Sequence, residues 1–121
     1  MLLKIHHAQI TIPRGAEDEA REFYCDCLGL KEVPKPESLQ ARGGFWLELG
    51  GQQIHIGVED DFDRAKTKAH IAYEVDNLEF WRNRLETVGI KIKEGIPIPN
   101  YGRFEFRDPF GNRVEFLKKL T

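Results

Sequence analysis

Apolar and polar residues alternate at period two in several short stretches of this chain, and recur at helical spacing in two longer ones. Leu2 to Pro13 predicts a strand, with Ala8, Ile10 and Ile12 on one face and His7, Gln9 and Thr11 on the other. Pro13-Arg14-Gly15 ends it. From Ala16 to Leu28 the apolar positions are 16, 20, 23, 24, 27 and 28, the stripe of an amphipathic helix, and Gly29 is placed to cap it. Leu30 to Val33 predicts a short edge strand, because Pro34 and Pro36 do not suit a central one. Gly43 to Leu49 alternates Phe45, Leu47 and Leu49 against Trp46 and Glu48. Gly50-Gly51 then turns the chain into Gln52 to Val58, where Ile54, Ile56 and Val58 oppose Gln53, His55 and Gly57.

A charged segment read as structureless, Glu59 to Lys68, divides the chain near its middle. Beyond it the order begins again. Lys68 to Val75 alternates Ile71, Tyr73 and Val75 against His70, Ala72 and Glu74. Asp76 followed by Glu79 has the form of a capping box, and Leu78, Trp81, Leu85 and Val88 mark a second amphipathic helix that Gly89 closes. A short strand around Lys91 and the loop Pro97 to Gly102 lead into a hairpin, Phe104 to Lys119. Its turn chemistry is Asp108-Pro109-Phe110-Gly111-Asn112. Phe104, Phe106, Val114 and Phe116 share the apolar face of that hairpin, while Glu105, Arg107, Arg113 and Glu115 lie opposite.

Both halves thus read strand, helix, glycine, short strand, hairpin. His7 and His70 stand 63 positions apart, His55 and Glu115 60 apart, and Gly29 and Gly89 also 60 apart. The chain is read as one domain built from two βαβββ modules, about 1–58 and 68–121, of the α+β class.

Composition narrows the function classes. The 121 residues are 40% hydrophobic and 31% charged, enough for one core. The net charge of -2 gives no reason to expect nucleic acid or an anionic membrane. No apolar run approaches the roughly 20 residues of a membrane span. Cys25 and Cys27 lie two apart in a helical pattern and face apart. Two reduced cysteines and no signal-peptide order at the N-terminus point to the cytoplasm.

The helices cover the apolar parity of each strand. The opposite parity holds His7, His55, His70 and Glu115. If the polar faces of the two sheets look at each other, three imidazoles and a carboxylate converge. That donor set suits a divalent Zn, Ni, Co, Mn or Fe ion without choosing among them. The alternative is a set of solvated strand histidines with Glu115 as a surface charge beside Arg113 and Lys118. His6 has the wrong parity for a ligand.

The motifs IHHAQITI, EFYCDCLGLK, QQIHIGVE, KAHIAYEVDNL and, most specifically, FRDPFGNRVEFLK resemble the vicinal oxygen chelate superfamily over essentially the whole chain. That group includes glyoxalase I, methylmalonyl-CoA epimerase, extradiol dioxygenases and the fosfomycin- and bleomycin-resistance proteins. The resemblance implies a glyoxalase-like fold of cup-shaped mixed sheets around a cleft, often completed in a homodimer. It also implies metal ligands at His7, His55, His70 and Glu115. His55 departs from the Glu or Gln common there in lyases and isomerases. His7, His70 and Glu115 alone would supply a dioxygenase set, leaving His55 as fourth ligand or proton carrier. Bleomycin-binding members lack the ligands.

The implied activity is that of a lyase, isomerase or dioxygenase acting on a small oxygen-rich molecule by bidentate chelation and proton transfer. Glu115, Glu48 and Glu105 are the candidate bases. Trp46 is a candidate pocket wall, and Arg103 and Arg107 are candidate anchors for an anionic substrate. The segments 60–68 and 97–102 are candidate lids. The competing classes are a module that binds or sequesters a small molecule in the same cleft, and a dimeric scaffold without ligand.

Overall fold

The computed structural model describes residues 1–120. The chain divides after Phe62 into two compact units. In the first, β1 (His7–Ile12) is followed by α1 (Glu17–Arg21), which continues as a π-helix over Glu22–Cys27. Then come β2 (Lys31–Val33), a 3₁₀ segment (Glu37–Arg42), β3 (Phe45–Leu49) and β4 (Gln52–Val58). The second unit has β5 (His70–Glu74), α2 (Leu78–Thr87), β6 (Ile92–Glu94), β7 (Tyr101–Arg107) and β8 (Arg113–Lys119). The sheets have the same order, β1-β4-β3-β2 and β5-β8-β7-β6. In each, the first strand pairs parallel with the last and the other pairings are antiparallel. This is the glyoxalase-like α+β fold of duplicated βαβββ modules.

Period-two alternation sets the faces. In the first unit Ile12, Phe45, Leu47, Ile54 and Ile56 are buried together with Ala20, Phe23 and Tyr24 of the helix. In the second, Tyr73, Phe104, Phe106, Val114 and Phe116 are buried with Leu85, and Trp81 packs on Phe116 edge-on at 5.4 Å.

A further likeness between the modules is not visible in the hydrophobic pattern. Arg21 of α1 bonds Glu32 of β2 at 2.9 Å and lies 4.6 Å above the Phe45 ring. Arg82 of α2 bonds Glu94 of β6 at 2.8 Å and lies 4.8 Å above Phe104. In each unit one guanidinium ties the helix to the edge strand while its stem covers the core.

Some boundaries differ from the sequence reading. β1 starts at His7 rather than Leu2, and residues 1–6 are exposed without regular pairing. The first helix widens into π geometry, where Leu28 N–H reaches the Phe23 carbonyl at 2.9 Å. Both neighbouring aromatics, Phe23 and Tyr24, are thereby buried. The cap of α2 is Asn77, whose side chain accepts from Phe80 N–H, and not Asp76. The charged segment 59–68 is not structureless. It holds a 3₁₀ turn, Arg64–Lys66, and Arg64 is buried.

Candidate functional site

In the first unit the polar faces of β1, β3 and β4 carry His7, Trp46 and His55. Register places His55 beside Trp46 on one neighbour strand and Gln9 on the other. The ring of His55 stacks on Trp46 at 3.9 Å and 3°, and on His7 at 3.9 Å and 17°. His55 is 5% exposed, and its Nε2 meets Oε1 of Gln53 at 2.9 Å. Burial, then the positive surroundings of His7, His6 and Lys35, hold its pKa down at about 4. His55 is therefore a neutral nitrogen donor at pH 7.

His6 precedes the first paired residue of β1, so strand parity does not govern it. Its Nδ1 lies 3.0 Å from Nδ1 of His7, and one of the two must carry the proton of that contact. The sequence reading set His6 aside and had no role for Gln53. The two-residue spacing to His55 on one strand face was the available signal for Gln53. Gly57 serves the same face: a β-carbon there would stand 2.8 Å from the amide nitrogen of Gln9. His6, His7, Gln9, Trp46, His55 and Gly57 border a pocket of about 510 Å³.

In the second unit the corresponding face is ionic. Glu115 is buried, with Oε1 3.0 Å from Nε2 of His70 and Oε2 3.2 Å from Nη1 of Arg103. The other nitrogen of His70, Nδ1, faces the Lys68 carbonyl at 2.9 Å. Arg103 also donates from Nε to the Ile96 carbonyl at 2.9 Å. Gly95 makes room for it, since a β-carbon at that position would lie 2.7 Å from Cζ of Arg103.

The remaining expected site residues separate. Glu105 is gripped by Arg113, at 3.0 and 2.6 Å, with Lys93 at 4.0 Å. Burial alone would raise its pKa, but Arg113, Lys93 and Arg103 outweigh that and lower it. Glu105 thereby braces β7 against β8 and β6. Glu48 is exposed on β3, opposite Gln53 and Lys31. Arg107 directs Nη1 to the carbonyls of Arg64, Thr67 and Gly111, at 3.1–3.2 Å. It anchors the 64–67 segment to the hairpin turn, and Arg103 spends its charge on Glu115. Each unit thus gathers two of the four expected ligands, His7 with His55 and His70 with Glu115, and the first adds His6 beside His7. Among the described residues, no three His, Cys, Asp or Glu side chains form a ready-made metal cage. Both cysteines are free thiols.

No helix among the described residues is long and apolar enough to cross a membrane. The family profile of the Glyoxalase/Bleomycin resistance protein/Dioxygenase superfamily matches residues 4–116. A Bacillus anthracis protein assigned to the glyoxalase family is similar at 43% identity and TM-score 0.89, covering 98% of this chain and 97% of that one. The manganese- and sulfate-bound fosfomycin resistance protein FosX of Listeria monocytogenes shares the fold at TM-score 0.80 and 15% identity, covering 98% and 92%. So does a lactoylglutathione lyase from Agrobacterium tumefaciens, at TM-score 0.72 and 22% identity, covering 95% and 92%. Comparison with curated proteins returns no match. With the duplicated module, the matching topology and a profile spanning nearly all of its length, the chain belongs to the glyoxalase/bleomycin resistance protein/dioxygenase superfamily.

Proposed function

We propose that this chain is a divalent-metal-dependent enzyme acting on a small oxygen-rich molecule, with His7, His55, His70 and Glu115 as metal ligands. One observation carries the reading. Both ring nitrogens of His70 face acceptors, the Lys68 carbonyl at 2.9 Å and Glu115 Oε1 at 3.0 Å. A neutral imidazole has a single N–H, so the second contact needs a cation. Either a further proton or a metal ion satisfies it. Two donors on an ion at about 2.1 Å stand roughly 3.0–3.4 Å apart, which the His70–Glu115 spacing fits. A backbone carbonyl on Nδ1 is also the partner that fixes a ligand histidine with Nε2 free.

Bound there, a divalent ion would act as a Lewis acid toward two adjacent substrate oxygens. The protein's own part is orientation and proton movement. Arg103 holds Oε2 of Glu115, so this carboxylate keeps a fixed direction when Oε1 exchanges partners. Glu115 is the leading proton carrier, and Glu48 is an exposed alternative. Neutral His55 supplies a nitrogen donor that Gln53 orients. Which of lyase, isomerase or dioxygenase chemistry follows depends on the substrate, and a homodimer in the cytoplasm is the expected setting.

Metal analysis of purified protein tests this. Near-stoichiometric Zn, Ni, Co, Mn or Fe is expected, with affinity falling more than about a hundredfold in His70→Ala. Melting temperature should rise with added ion and fall with chelator. Metal-free protein whose stability ignores both would leave a binding module instead.

A further inference from the structure

The pocket of the first unit has a one-signed lining. His6, His7, Lys35 and Arg42 line it, and among the described residues no Asp or Glu does. Behind its wall the Glu17 carboxylate accepts the Gly44 N–H at 3.1 Å and faces where a Gly43 side chain would be. Lys35 gives one of its three ammonium protons to the Gly43 carbonyl, which fixes the head group and leaves two donors. Arg42 ends the exposed 3₁₀ segment, and no ion pair holds it among the described residues. Trp46, Leu39, Ile56 and Val58 supply the pocket's apolar lining, with Gln9 and His55 as the uncharged polar members. A volume of about 510 Å³ lies within the usual range for small-molecule sites.

We propose that this pocket takes a small planar carboxylate, its anion received by Arg42 and Lys35 and its flat body laid against Trp46 and Leu39. The inference deepens the proposed function by naming a substrate class, and it rests on that reading only in setting the pocket beside His7 and His55. A planar guanidinium receives a carboxylate through two parallel N–H bonds, and the lysine adds a point charge. An aromatic or conjugated acid suits the wall better than a compact inorganic anion, which would leave Trp46 and Leu39 uncovered.

Calorimetric titration of the full chain with benzoate, and with benzamide as its uncharged counterpart, tests the proposal. The first titrations are made in chelator, so that metal plays no part. Benzoate should bind, benzamide should bind about tenfold more weakly or worse, and Arg42→Gln should cost benzoate about tenfold. Arg42 is exposed, so that variant should fold as the parent does, which its melting curve checks. Raising salt from about 0.05 to 0.5 M should weaken benzoate but not benzamide. Equal affinity for the two probes, indifference to Arg42→Gln, or no benzoate binding up to about 10 mM would each overturn the proposal. Binding that appears only after metal is restored and ignores Arg42→Gln would also overturn it, while leaving the metal reading intact. Chelator-resistant, Arg42-dependent benzoate binding in a protein that takes up no metal would support the pocket and sink the metal reading.

Discussion

Neutral His55 makes folding stability depend on pH in a way the structure fixes in sign and size. The unfolded imidazole titrates near 6.5 and the folded one near 4, because folding buries it between Trp46 and His7. Between those values the unfolded chain binds a proton that the folded chain refuses, so stability rises with pH across the window. The contribution is fully present above pH 6.5 and is lost as pH falls toward 4. The whole span corresponds to about 3 kcal/mol, and the step from pH 7 to pH 5 to about 2 kcal/mol. Paired carboxylates such as Glu17, Glu94 and Glu105, whose pKa values are lowered, also lose stability in acid, though mainly at the lower end of the range. A difference measurement removes them. Urea denaturation in chelator at pH 7, 6 and 5 should show wild type losing about 2 kcal/mol more than His55→Gln, whose amide does not titrate. Parallel pH dependences, agreeing within about 0.5 kcal/mol, would refute the claim that His55 is folded in as a neutral ring.

Other expectations follow from single contacts. A β-carbon on Gly44 would meet the Ile56 carbonyl oxygen at 2.0 Å with φ at +79°, so Gly44→Ala should destabilise by more than about 3 kcal/mol or abolish folding. Gly57→Ala meets only the movable end of Gln9, so it should fold, which urea melts of the pair would check. Asp108 accepts from Phe110 N–H, Asn112 N–H and the Asn112 amide at 2.8–2.9 Å, and Asp108→Ala should cost about 3 kcal/mol by calorimetry. Leu85 of α2 is fully buried, and Leu85→Ala should cost about 3–5 kcal/mol in chemical denaturation.

Much of the fold was legible because period-two alternation and turn chemistry act locally. The hairpin from Phe104 to Lys119 is an example: its apolar parity, its Asp-Pro-Phe-Gly-Asn turn and its face assignments all appear in the structure. The extent of β1 was less legible, since Leu2, Leu3 and Ile5 look strand-like but the pairing with β4 stops at His7 opposite Gln53, one residue from the start of β4. The π-widening at Glu22–Cys27 depends on two adjacent aromatics competing for one core, which a 3.6-residue period cannot express. The arginine contacts were hard to read for a related reason. Arg103 and Arg107 have the parity of a substrate-facing charge. Their partners, Glu115 and three loop carbonyls, are set by tertiary neighbours rather than by spacing.

The strand registers carry the comparison of the modules one step further. Beside His55 stand Trp46 and Gln9, and beside Glu115 stand Glu105 and Ala72. Across from His7 is Gln53, and across from His70 is Arg113. Duplication has therefore kept the backbone positions and changed what surrounds them. Burial against Trp46, with His7, His6 and Lys35 nearby, keeps His55 uncharged, whereas buried Glu115 is paired with Arg103. The proposed ligands at these equivalent positions therefore differ in kind, a neutral nitrogen in the first unit and a carboxylate oxygen in the second. Removing a support tests the second of them without touching a proposed ligand. Arg103→Met should leave Oε2 of buried Glu115 without its guanidinium partner, with only His70 still held on Oε1. On the proposed reading, titration calorimetry should then find a divalent ion bound about tenfold or more weakly by the variant than by wild type. Equal affinity in both proteins would mean that Arg103 does not support this site.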